Sequence, residues 1–182
     1  MSQQAFYFDG TRCTGCKTCQ MACKDYKNID LGISFRHVYE VTIGDTVKDA
    51  DGAFSTTCVS YPLSMSCNHC DSPVCFEKCP QSAIIKDADT GLMSIDEEKK
   101  KAVRCNGCAE RVAAGEKPVC VEACPARALD FGDAEEMAKM GERGNIAPLP
   151  DPSETTPNIF IKASADAQPV GAAEIANPLE VA

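Results

Sequence analysis

The sequence predicts an α+β fold of short strands and helices around cysteine-bound centres, and three observations carry that reading. The chain has 182 residues with 13 cysteines, no tryptophan and 6% aromatic residues, so cysteine-held groups replace part of the usual hydrophobic core. Its β-rich and helical runs are short and are separated by Gly, Pro and Asp turns. The pattern Cys-Pro-x₂-Ala recurs just before a strand-like run, at Cys79–Ala83 and at Cys124–Ala128, which marks tandem units.

In chain order, Ala5–Asp9 reads as a strand entering the first cysteine loop. Gln20 to Lys27 contains no breaker and should be helical. Val38–Ile43 and Ala53–Tyr61, either side of Asp51-Gly52, predict a hairpin insertion. A cysteine group follows at Cys67–Cys79, where Pro80 ends a helical turn. Ala83–Ile85 and Leu92–Ile95 predict a second hairpin around Asp89-Thr90-Gly91. The charged stretch Asp96–Arg104 should be solvated, Ala128–Phe131 should close the sheet, and Asp133–Met140 fits one short helix. From Gly141 onward prolines are scattered among small and acidic residues, and no independent core can form. That stretch reads as a disordered tail or as an extended arm. The apolar Ile159-Phe160-Ile161 favours an arm lying on a partner protein.

The cysteines carry the chemistry. In Cys13-x₂-Cys16-x₂-Cys19-x₃-Cys23 the first three thiols are too closely spaced to serve separate centres. This is the bacterial ferredoxin run, whose fourth cysteine binds the other cluster of a pair. Its complement is Cys105-x₂-Cys108-x₁₁-Cys120-x₃-Cys124-Pro125. Crossing the fourth ligands gives one 4Fe-4S cluster on Cys13, Cys16, Cys19 and Cys124, and a second on Cys105, Cys108, Cys120 and Cys23. Between them stands a third group, Cys67-x₂-Cys70-x₄-Cys75-x₃-Cys79-Pro80. Zinc is the rival ion, because paired C-x₂-C elements also build tetrahedral sites; the tight three-cysteine run suits a lone zinc poorly. The architecture expected is a ferredoxin-like dicluster core (residues 1–36 and 96–140), an insertion with the middle cysteine module (37–95) and an extended partner-binding arm (141–182).

Several function classes are excluded. Twelve of the 13 cysteines fall into groups of four, which favours ligands over disulfides. A net charge of −9 opposes nucleic acid and anionic membrane surfaces. The opening Met1-Ser2-Gln3-Gln4 has no basic, apolar or twin-arginine start, so no signal of its own is expected. No apolar stretch approaches the roughly 20 residues that span a bilayer. The protein is expected in the cytoplasm, or exported with a partner and membrane-associated. It contains no evident nucleophile–base pair, phosphate-cradling glycine loop or paired carboxylates, so it should carry electrons rather than make bonds.

The motifs resemble those of a known family. Phe6-Tyr7-Phe8-Asp9 with Cys13-Thr14-Gly15-Cys16-Lys17-Thr18-Cys19, Ser66-Cys67-Asn68-His69-Cys70, and Cys105-Asn106-Gly107-Cys108-Ala109-Glu110-Arg111 are similar to the iron–sulfur subunit of the DMSO reductase family of molybdopterin oxidoreductases. So are Pro118–Gly132, Ile146–Pro150 and Pro157-Asn158. The resemblance implies a small electron-transfer subunit docked on a large molybdopterin catalytic subunit, with a membrane anchor subunit or a soluble carrier at the other end of the relay. A free-standing ferredoxin-type carrier and a zinc-stabilised structural module are the rival functions.

One departure from the family stands out. The family carries a further C-x₂-C-x₂-C-x₃-C-P run before the last group, whereas here Asp96–Arg104 leads straight into Cys105. The resemblance implies that the missing run would have completed the cluster of Cys67, Cys70 and Cys75 and used Cys79 for its own. A fourth cluster is therefore not expected, and a third needs one more ligand, with Cys79 preferred over Cys58. Weaker signals complete the set. His69 should shape its loop by hydrogen bonding, and His37 should pack or solvate. Lys17, Lys24, Arg104 and Arg127 flank cluster cysteines and could offset their charge.

Overall fold

The computed structural model describes residues 2–96, 98–99 and 103–181. Of the charged stretch 96–104, residues 97 and 100–102 lie outside the described residues.

The centre of the molecule is a four-stranded sheet in the order β8-β1-β10-β9. Strand β1 (Gln4–Asp9) pairs antiparallel with β8 (Leu129–Asp133) and parallel with β10 (Ile159–Lys162), which pairs with β9 (Glu142–Arg143). Its period-2 alternation serves two faces. Phe6 and Phe8 enter the main core, while Ala5 and Tyr7 pack on Met137 and Phe160 beneath a short helix. That helix, α5 (Ala134–Ala138), begins where the Asp133 carboxylate accepts from Glu135 N at 2.9 Å.

The insertion is a hairpin in two pieces. Strand β2 (His37–Ile43) pairs with β5 (Val59–Met65), and the shorter β3 (Thr46–Lys48) pairs with β4 (Phe54–Thr56) beyond it. The run expected from Ala53 to Tyr61 is broken at Thr57-Cys58, and the strand resumes past Pro62 to Met65. Pro62 is tolerated because its partner Glu40 points its own N–H and C=O outward, to Asn177 and Ala176. A third hairpin, β6 (Ile84–Lys86) with β7 (Met93–Ile95), follows the middle cysteines as expected.

The stretch after Gly141 corrects the expectation of an arm ordered on a partner. Ile159, Phe160 and Ile161 are buried inside the chain's own sheet, with Phe6 opposite Ile159. Beyond them the chain stays extended but lies on its own insertion. Ile175 bridges Val41, Ala176 N donates to Glu40 O at 2.7 Å, and Asn177 both accepts from Glu40 N and donates to Val38 O. Local propensity could place a strand at 159–162, but a parallel pairing with residues 6–9 leaves no local trace in sequence.

Candidate metal centres

The first cysteine loop is held from both sides. Asp9 accepts from Thr11 and Cys13, and Gly15 and Lys17 adopt left-handed φ of 69° and 61°, folding Cys13, Cys16 and Cys19 inward. Helix α1 (Thr18–Tyr26) begins there and buries Cys19 and Cys23 one turn apart. Cys13, Cys16, Cys19 and Cys124 line one small space with Phe8 and Leu129. The thiol of Cys13 is raised by burial and, among its neighbours, by Cys19, Cys124 and Cys16. At the edge, the exposed Cys16 thiol is lowered by hydrogen bonding to Thr18, 3.3 Å away.

Cys23 belongs to a different set. Burial pushes its thiol up to about 12, and the neighbouring sulfurs of Cys105, Cys120 and Cys108 add to the shift. Burial likewise pushes Cys105 up to about 11. Cys108 stands at a left-handed φ of 52° before α3 (Ala109–Ala113), and Cys120 lies on α4 (Val119–Glu122), which packs on α1. The structure thus brings the outer cysteines into two crossed sets, with Cys23 beside the late group and Cys124 beside the early one.

The chemistry of these sets fits iron–sulfur clusters. Buried thiols that raise one another ionise only when positive charge is supplied, which cluster iron does. Cys13, Cys16, Cys19 and Cys124 stand around a space rather than a point. Backbone donors are aimed at sulfur: Gly107 N to Cys105 and Ala128 N to Cys124, at 3.4 and 3.3 Å. His69 adds an orphaned buried atom. Its Nδ1 accepts from Met93 N at 2.8 Å, so the proton sits on Nε2. Nε2 is buried without a partner among the described residues and faces the Gly107 loop, where a cluster sulfur would satisfy it. Burial lowers the imidazole to about 3, so it stays neutral. His69 shapes its loop as the sequence suggested.

The middle group is arranged differently. Cys67 and Cys75 are neighbours of Cys70, whose thiol burial raises. Arg104 lies on the same three-thiol cluster, with Nη2 2.9 Å from Cys67 Sγ and 3.7 Å from Cys75 Sγ. Cys79 begins a turn that duplicates the turn at Cys124. In both, the sulfur accepts from the alanine N–H four residues on at 3.3 Å, and the residue before that alanine, Ser82 or Arg127, has a φ of 45° or 51°. Cys124 in that turn lies beside the Cys13, Cys16 and Cys19 group. Cys58 is exposed at the far end of β5, and the extended residues between it and Cys67 span roughly 25–30 Å. It does not stand near the middle thiols as the second-choice ligand the sequence offered would have to.

Of the basic residues singled out in the sequence, Arg104 touches thiols. Lys24 donates to Asp30 O and Ile33 O, Arg127 to Glu122 O and Cys124 O, and Lys17 pairs with Glu40. His37 stacks on Tyr39. Sequence reasoning missed Arg36, which is 1% exposed and sits against Cys120, Cys19 and Cys105. No motif surrounds it; its partners come from three distant segments.

Comparison with known proteins agrees with this geometry. A 4Fe-4S dicluster domain matches residues 58–104 and again 92–134. The B subunit of anaerobic dimethyl sulfoxide reductase from Escherichia coli is 42% identical, over 99% of each protein. The same-named subunit of Haemophilus influenzae is 41% identical over all of both. The Escherichia coli alignment spans 205 positions against the 182 residues here, so the relative carries residues this chain lacks. More distant is the formate dehydrogenase 2 subunit beta (cytochrome c-553) of Nitratidesulfovibrio vulgaris, 27% identical over 77% of this chain and 81% of its own. Crossed cysteine sets and near-full-length similarity lead to one conclusion: the chain belongs to the family of electron-transferring, 4Fe-4S iron–sulfur subunits of the DMSO reductase type.

Proposed function

We propose that this chain relays electrons between a large molybdopterin catalytic subunit and a quinol-linked or soluble carrier. Crossed cysteine sets carry the reading: Cys13, Cys16, Cys19 and Cys124 would hold one cluster, and Cys105, Cys108, Cys120 and Cys23 the next. The exchange of Cys23 and Cys124 sets two redox groups side by side within one core, as electron relay requires. Relatives named as B or beta subunits support a multisubunit setting. Dimethyl sulfoxide and formate are the substrates named for those relatives' complexes, and a small oxidised or one-carbon substrate for the catalytic partner follows by analogy. None of the described helices is long and apolar enough to cross a membrane.

The middle group would hold a third cluster through Cys67, Cys70 and Cys75. Its turn aims Cys79 as Cys124 is aimed, toward a neighbouring unit, so Arg104 rather than Cys79 would stand beside the three thiolates. Cys75 is exposed, and Val74 and Phe76 beside it are each 46% exposed. That apolar rim suits the face through which electrons leave for a partner. Functionally, residues 1–36 with 96–140 would form the dicluster core and 37–95 the third relay module, while 141–182 would act as a strap over both.

The test is anaerobic isolation of the chain with its co-purifying large subunit. Iron and acid-labile sulfide of about eight or more each per chain support the reading. Cys23→Ala should then bleach the cluster of the Cys105 group. Loss confined to the Cys13 cluster would sink the crossed assignment.

A further inference from the structure

Arg36 is a full charge with almost no access to water. It precedes β2, its guanidinium lies 4.9 Å over the Phe6 ring, and its Nη1 donates to Ser64 O at 3.2 Å and to Ser64 Oγ at 3.1 Å. Nη2 donates to Ser66 Oγ at 3.0 Å, and Nε is buried without a partner among the described residues. Burying an isolated cation costs several kcal/mol unless opposite charge answers it. Here the answering groups are sulfurs from both candidate sites: Cys120 and Cys105 of one, Cys19 of the other.

The hydrogen bonds have a direction. Ser64 Oγ accepts from the guanidinium, which has no acceptor of its own, so the hydroxyl proton is free to point elsewhere. Cys19 Sγ lies 3.2 Å from that oxygen. The serine therefore passes the arginine's polarisation to a ligand of the first cluster, while the guanidinium charge acts directly on the nearby sulfur of Cys120 of the second. Donors and positive charge at ligand sulfur favour the reduced, more negative cluster and raise its reduction potential.

We propose that Arg36 is the shared electrostatic link of the two core clusters, acting on one through Ser64 and Cys19 and on the other through Cys120, and that it holds both at higher potential. This rests on the crossed ligand sets proposed above. Arg36 is a positioning residue: it ligates nothing and moves no electron itself.

The experiment is a reductive titration of the intact, cluster-loaded complex, followed by electron paramagnetic resonance. Arg36→Met should lower both core midpoints, each by about tenfold in its reduction equilibrium, about 59 mV for one electron. Ser64→Ala should lower only the midpoint of the Cys13 cluster. Arg36→Lys should recover part of the shift at Cys120 without the Ser64 relay. A merely structural arginine would change yield and melting but leave the midpoints of the loaded protein in place, and that result overturns the inference. So does a Ser64→Ala shift of both clusters. If Arg36→Met fails to accumulate, Ser64→Ala and Arg36→Lys still decide. Iron below about eight per chain in the unmutated protein would sink the dicluster reading itself, whereas full iron with unmoved midpoints sinks this inference alone.

Discussion

At the scale of single residues, two turns of identical geometry end in different roles. Cys124 is beside the first cysteine set, while on the reading proposed above the same turn points Cys79 away from the middle three thiols. Cys79→Ala should therefore leave iron and sulfide per chain unchanged, whereas Cys67→Ala should lower both, and a colorimetric count checks each. Gly107 is constrained twice, by a φ of 66° and by Leu92 Cδ2 2.9 Å from where a Cβ would stand. Gly107→Ala should cost about 1–3 kcal/mol and loosen the Cys105 cluster, seen as earlier bleaching on heating. The cysteines and the loop-shaping His69 were legible because spacing reports them. Arg36 and the inward turn of Arg104 were not, since their reasons are sulfurs distant in sequence.

Among the elements, β10 changes most between sequence and structure. Its apolar Ile159-Phe160-Ile161 was visible, but its place was not, because β1 lies more than a hundred residues upstream. Ile159 is fully buried in the main core, so Ile159→Ala should cost about 2–5 kcal/mol in denaturant unfolding of the isolated subunit. An arm held only by a partner would show no such loss. The strap over β2 should be weaker. Asn177→Ala removes two hydrogen bonds to the β2 backbone and should cost about 1–2 kcal/mol, read as faster proteolysis of the last residues. The hairpins were readable from alternation and turn residues, yet their break at Thr57-Cys58 was not, because both halves carry the same β-prone composition.

For the whole molecule, the cysteines are part of the core rather than attached to it. Cys19, Cys120 and Cys124 pack with Phe6, Phe8, Leu129 and Ile159, so removal of iron lets the buried thiolates take up protons and leaves Arg36 without the negative charge that answers it. Anaerobic chelation should abolish the cooperative melt and the near-ultraviolet dichroism together. The parallel pairing of β1 with β10 also bears on how the protein is made. About 150 residues separate Asp9 from Ile159, and at 5–20 residues per second a ribosome needs roughly 8–30 s to deliver the second strand after the first. Throughout that interval β1 emerges with its β10-facing edge open and its first three thiols presented to the cell. The sheet can close beside β1 only after Ile159–Lys162 have emerged, so synthesis itself leaves that edge, and the cysteine loop that follows it, open to the donors of iron and sulfide for the whole interval.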